Sequence, residues 1–140
     1  MAIDLTSLKK AVGALDRALS ALEKSPLDGF DEHIRETLKA GVIQNFEVAY
    51  EQSWKYTQRW MRENAVPEEA EHPRTRKDLF RAAARLGLIA DPEPWFTFGD
   101  ARNMTSHAYD ESQADYVYTI AQQFLPHARE LLDRLEKASD

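Results

Sequence analysis

Four residues whose side chains do chemistry crowd into one short stretch, DARNMTSHAYDE at residues 100–111: Arg102, Asn103, His107 and Tyr109. A guanidinium is a permanent cation that forks onto a carboxylate or a phosphate. An imidazole gains and loses a proton near neutrality. Together they are the parts needed to hold an anion and move a proton at it. Their spacing is awkward on a helix, because five residues leave Arg102 and His107 about 140° apart around the axis. The chain must turn a corner between them if both are to act on one group. Asn103 and His107, four apart, share a face if one helical turn persists. On spacing alone a plainer reading stands beside this one, in which Arg102 pairs with Asp100 or Asp110 and His107 caps a helix end.

The elements that must position these residues all have a helical period. Leu5, Leu8, Val12, Leu15, Leu19 and Leu22 step by three and four, which predicts an amphipathic helix with Asp4 at its N-cap. SPLDG at 25–29 ends it. A second helix spans about 31–64, with Ile34, Leu38, Val42, Phe46, Ala49, Ser53, Trp54, Tyr56, Trp60 and Met61 on a wide face and Gly41 as a weak point. Its aromatic residues read as bulky core, with a subunit interface as the alternative. The segment NAVPEEAEHP at 64–73 is a polar loop. Thr75 then caps a third helix that ends at Gly87, and Asp91–Pro92 starts a short fourth that frays at 105–106. The last helix starts at Asp110, with Gln113 completing a capping box, and contains Pro126, where a kink is expected. No strand-like alternation and no repeat occur. The expected fold is all-α, one domain over residues 1–140: an antiparallel four-helix up-and-down bundle with a short extra helix before the last.

Composition narrows the function classes. Apolar residues at 43% and charged residues at 30% suit a soluble globular chain. Cysteine is absent, which removes disulfides and thiolate metal sites and fits a cytoplasmic location. The N-terminal segment carries charges throughout, unlike a signal peptide or membrane span. His33, His72, His107 and His127 have no ligand-like spacing and there is no phosphate-cradling glycine loop, so neither a metal nor a cofactor is expected. A net charge of −6 excludes a global attraction to nucleic acid. Positive charge is instead local: residues 74–85, RTRKDLFRAAAR, hold five Arg or Lys and one Asp. Lys77, Arg81 and Arg85 there form one stripe, which reads either as a solvated helix face or as an RNA-backbone guide.

RNMTSHAYD resembles the Arg-x4-His-x-Tyr signature of the HEPN superfamily of small helical bundles. The whole chain is similar to the nucleotidyltransferase substrate-binding family within it, through GVIQNFEVAYEQSWKYTQRWM, RKDLFRAAARLGLIADPEPWFTFGDARNMTSHAYDE and FLPHARELLDRL, spread over residues 41–135. The resemblance implies a homodimer with the motif along the cleft between subunits, and a minimal nucleotidyltransferase as partner. It implies two alternative roles. One is a metal-independent endoribonuclease toxin neutralised by the nucleotidyltransferase as antitoxin; the other is a non-catalytic subunit presenting substrate to the nucleotidyltransferase. Metal-free RNA cleavage needs a base for the 2′-hydroxyl proton, an acid for the leaving 5′-oxygen and a cation for the phosphorane. A two-fold dimer supplies His107 and Arg102 twice, which meets that need. In this reading Arg102 and His107 are catalytic, Asn103 orients the histidine or contacts a phosphate oxygen, and Tyr109 is the residue to which the partner attaches AMP.

Overall fold

The computed structural model describes residues 3–24, 32–64, 75–105 and 110–139. Five helices and no strand occur among them: α1 Thr6–Lys24, α2 Glu32–Asn64, α3 Arg76–Arg85, α4 Glu93–Met104 and α5 Glu111–Ala138. The break expected at 25–29, the loop at 65–73 and the residues His72, His107 and Tyr109 lie outside the described residues. No described helix is long and apolar enough to cross a membrane.

The all-α bundle is as expected, and its proportions follow from the helix lengths. α1, α2 and α5 have 19, 33 and 28 residues, whereas α3 and α4 have 10 and 12. At 1.5 Å per residue the two short helices together span about the length of one long one. They take the place of a single third helix. Ion pairs give the directions. Lys9–Glu136 (3.5 Å) and Asp16–Arg129 (2.7 Å) set α1 antiparallel to α5. Lys39–Asp115 (2.6 Å) and the Phe46–Phe124 ring contact set α2 parallel to α5, so the return between them is left to α3 and α4.

Local signals act largely where the sequence puts them. Asp4 accepts from the Thr6 backbone N–H at 2.9 Å, and all six α1 stripe residues are buried. Thr75 Oγ1 accepts from the Asp78 N–H at 3.1 Å and caps α3. Gly87, at φ +82°, ends α3; the Leu88 N–H reaches Ala83 O (2.9 Å) and the Gly87 N–H reaches Ala84 O (3.2 Å), the paired bonds of a left-handed C-cap. Asp91 accepts from the Glu93 N–H at 3.0 Å at the start of α4. Pro126 lies on the exposed side of α5, and the helix runs through it without interruption. Gln113 does not close the expected capping box: its buried Oε1 has no hydrogen-bond partner among the described residues, Asp110 included. On α2, Ile34 is 44% exposed rather than part of the core face.

One core joins all five helices. Phe46 and Tyr50 of α2, Phe80 of α3, Trp95 and Phe98 of α4 and Phe124 of α5 pack ring to ring, and the α1 leucines complete the layer beneath. Ser53 and Thr57 are buried among them, and their hydroxyls bond back to Ala49 O and Ser53 O at 2.7 and 2.8 Å.

Tyr50 is fully buried, and among the described residues no group meets its hydroxyl in good hydrogen-bond geometry, Arg76 being the nearby polar neighbour. Burial pushes its pKa above the ordinary 10.0, which the nearby Arg76 only partly opposes. A Cβ placed on Gly99 would stand 2.8 Å from that hydroxyl. Gly99→Ala is therefore expected to destabilise by about 1–3 kcal/mol through overpacking, against the helix preference for alanine. In a Tyr50→Phe background the same change becomes neutral or stabilising. Denaturant unfolding of the four proteins checks this, and equal costs in both backgrounds would rule out the clash.

Candidate functional site

α4 presents Trp95, Phe98 and Arg102 at i, i+3 and i+7, so one face carries two core rings and then a cation. The rings lock into the core beside Phe124. Arg102 is thereby laid across α2, where Glu47 and Glu51, four residues apart, face it. Arg102 Nε lies 3.0 Å from Glu51 Oε1, and Nη2 lies 3.4 Å from Glu47 Oε1. Nη1 is 3.4 Å from Thr105 Oγ1, whose hydroxyl donates to Arg102 O at 2.7 Å. The carboxylate partners are thus long-range ones, not the sequence-local Asp100 or Asp110. The α4 backbone tightens at Thr105, whose N–H bonds to Arg102 O, immediately before the segment that carries His107 and Tyr109. Asn103 is exposed on the next position of the helix.

Glu51 is the hub of a wider cluster. Its Oε2 accepts from Trp54 Nε1 at 2.9 Å, and Arg76 Nη1 is 4.0 Å from Oε1. The Arg76 guanidinium stacks 4.1 Å from the Trp54 ring centre and 5.6 Å from that of Tyr50. The residues that sequence reasoning missed are therefore Glu47, Glu51, Trp54, Arg76 and Thr105. A signal was present. Two like charges at i, i+4 repel on a helix, so a Glu47–Glu51 pair within an aromatic-rich stretch asks for a cation from elsewhere.

The stripe on α3 is exposed but not idle. Lys77 Nζ and the Arg81 guanidinium lie 5.4 and 5.1 Å from the Phe96 ring centre, and Arg81 also pairs with Asp78 at 3.0 Å. Arg85 is exposed beyond them. On the other side of Arg102 a groove of about 660 Å³ runs between the first half of α2 and the start of α5, reaching Glu47 and Thr105. Five carboxylates and two cations line it, so it is the acidic flank of the site. Among the described residues no cluster of three His, Asp or Glu side chains is placed to hold a metal ion.

Asp110 fixes the far end of the motif segment. Its carboxylate accepts from Ser112 Oγ (2.8 Å) and from the Ser112 N–H (3.0 Å) at the start of α5. The Ser112 hydroxyl first, and the backbone N–H groups after it, hold its pKa below the ordinary 3.8. A folded-state pKa lowered in this way stabilises above the unfolded value and is lost as pH falls through the folded value. Asp110→Ala is expected to lower the melting temperature at neutral pH, with the deficit disappearing in acid below the carboxyl's own titration. Melting curves across that range check it; a deficit independent of pH would contradict the cap.

Comparison with known proteins supplies the kinship. A protein from Haemophilus influenzae described as "Probable ribonuclease HepT" is 34% identical over 137 residues, covering 92% of this chain and 94% of that protein. A solved structure from Haemophilus influenzae, described as revealing the fold of a substrate binding domain of a nucleotidyltransferase, is 34% identical. It matches with a TM-score of 0.87 over 94% of this chain and 98% of its own. The family model for "Nucleotidyltransferase substrate binding protein like" matches residues 4–137. With the sequence motif, the helical bundle and these matches together, the chain belongs to the nucleotidyltransferase substrate binding protein-like family.

Proposed function

We propose that the chain is a HEPN-type, metal-independent endoribonuclease toxin, neutralised by a minimal nucleotidyltransferase antitoxin. The observation that carries this reading is Arg102. It is a guanidinium clamped from behind by two carboxylates, at the helix end that leads directly into His107. The likeness to a probable ribonuclease over nearly the whole chain supports it. Arg102 would hold the scissile phosphate, and His107 would exchange protons with the 2′- and 5′-oxygens. Asn103, exposed on the helix position after Arg102, would contact a phosphate oxygen or orient the histidine. RNA would approach from the α3 side, where Lys77, Arg81 and Arg85 counter the backbone charge, rather than through the acidic groove.

One histidine cannot serve both oxygens of the same phosphorus, so the reading includes a homodimer that brings two copies to one cleft. Apolar surface supports this. Ile34 and Val48 of α2 are 44% and 45% exposed, and Tyr116 of α5 is 42% exposed. The partner nucleotidyltransferase would silence the site by attaching AMP to Tyr109. The added phosphate would be a tethered anion for Arg102, and the nucleoside would block the RNA path.

The purified wild type is expected to cut RNA in the presence of EDTA, and expression is expected to slow growth. His107→Ala and Arg102→Ala should each abolish cutting with helicity retained. Wild-type protein that leaves cellular RNA intact would end the ribonuclease reading. A second reading would then hold, a non-catalytic subunit that presents substrate to the nucleotidyltransferase, as the related solved structure is described. Sedimentation should give a dimer at micromolar concentration, and Val48→Glu should weaken both the dimer and cutting. A stable wild-type monomer would remove the composite site. For Tyr109, mass spectrometry after co-expression with the nucleotidyltransferase is expected to find AMP on the wild type. Tyr109→Phe should stay toxic and unmodified, and an adduct on another residue would move the acceptor.

A further inference from the structure

A guanidinium has two edges that can fork onto an anion: the side edge formed by Nε and Nη2, and the end edge formed by Nη1 and Nη2. In Arg102 the Nε of the side edge is held by Glu51 (3.0 Å), and Glu47 lies 3.4 Å from Nη2. Thr105 Oγ1 accepts from Nη1 at 3.4 Å. Among contacts with described residues, one N–H is left on each Nη, the two nitrogens that form the end edge. Glu51 can hold this aim only if it is itself held. Trp54 Nε1 donates to its second oxygen (2.9 Å), and Arg76, stacked on Trp54, approaches the first. Its side chain is only 25% exposed.

We propose that Glu51, braced by Trp54 and Arg76, is a positioning residue that turns the end edge of Arg102 outward to receive a phosphate. The claim rests on Arg102 as the phosphate clamp of the proposed ribonuclease. It differs from the alternative in which Glu51 is a competitor that phosphate must displace. A positioning carboxylate keeps its bond to Nε when phosphate binds; a competing one gives it up. Loss of the Glu51 charge alone also removes repulsion toward an anion. A positioning role therefore predicts slower cleavage without weaker binding, a split that general destabilisation does not produce.

Two measurements test this. In the first, inorganic phosphate is titrated into the isotope-labelled wild-type protein, and the arginine Nε and Nη resonances of Arg102 are followed by NMR. The expected result is a shift at the Nη groups with the slowly exchanging Nε–H of Arg102 retained. Release of that Nε–H, or no response of Arg102 at any phosphate concentration, overturns the proposal. In the second, Glu51→Gln is expected to lower kcat on RNA by about a hundredfold, the scale of a misplaced reacting group. KM, and the affinity for an RNA methylated at its reactive 2′-hydroxyl, should be unchanged or tighter. Wild-type kcat, or kcat lost together with binding, overturns it. Should Glu51→Gln fail to fold, Trp54→Phe removes the bracing N–H with the charge in place. It is expected to lower kcat to a smaller degree, with no gain in affinity because the carboxylate charge remains. Wild-type kcat in this variant overturns the bracing. If the wild type itself does not cut RNA, the ribonuclease reading falls alone, and the phosphate titration still decides the role of Glu51.

Discussion

The packing of six aromatic rings at the point where α2, α3, α4 and α5 meet constrains everything else in this fold. Phe124 takes Phe46, Trp95 and Phe98 edge-on, at 5.2 to 5.6 Å, while Phe80 stacks on Trp95 at 4.8 Å. Edge-on and offset contacts are directional, so they fix the rotation of each helix about its own axis as well as its depth. For α4 the rotation is what matters. Trp95 and Phe98 can reach the rings in one orientation only, and that orientation carries Arg102, one turn further along, onto α2. A twelve-residue helix has little stability of its own. Its aromatic anchor is what makes the arginine's position reproducible.

Electrostatics then follows from where the rings leave polar groups. Glu47 and Glu51 would repel each other on an isolated helix, and Arg102 relieves that repulsion at a site where each side chain is partly shielded from solvent. The cations of α3 likewise lie over rings: Arg76 over Trp54, and Lys77 and Arg81 over Phe96. Such contacts orient a cation without neutralising it. An acidic chain thereby keeps a positive face on one side of Arg102 and a negative groove on the other. A polyanion meeting this surface is favoured on one approach and opposed on the other, whatever chemistry follows.

The two descriptions carried by the relatives, ribonuclease and substrate binding domain, share a physical requirement. Either role benefits from a fixed cation at the end of a short rigid helix. They part at the proton: binding an anion needs the guanidinium alone, whereas cleaving a phosphodiester needs a titrating group beside it. Under the proposed function, Arg102 held by the carboxylates of α2 would serve either role, and the difference between them would rest on His107.

Much of this protein was legible in its sequence. Apolar periodicity determined the five helices, and the short-range chemistry of Asp4, Thr75, Gly87, Asp91 and Asp110 determined their ends, because caps depend on neighbours within a few residues. The motif residues were visible as types, and the family was visible in their order. Other features were decided only by the tertiary structure. Periodicity placed Ile34 on the α2 core face, yet it is 44% exposed, because burial depends on what packs there and not on the period. The up-and-down order already implied that α2 and α5 run parallel; no local pattern encodes that two short helices together fill the place of the third. Above all, Arg102 had two acidic neighbours in the chain and took neither. Its partners, Glu47 and Glu51, lie about fifty residues away and meet it because burial of Trp95 and Phe98 turns α4 toward them. Sequence specifies which groups are available, but only the packing of the core chooses which of them meet.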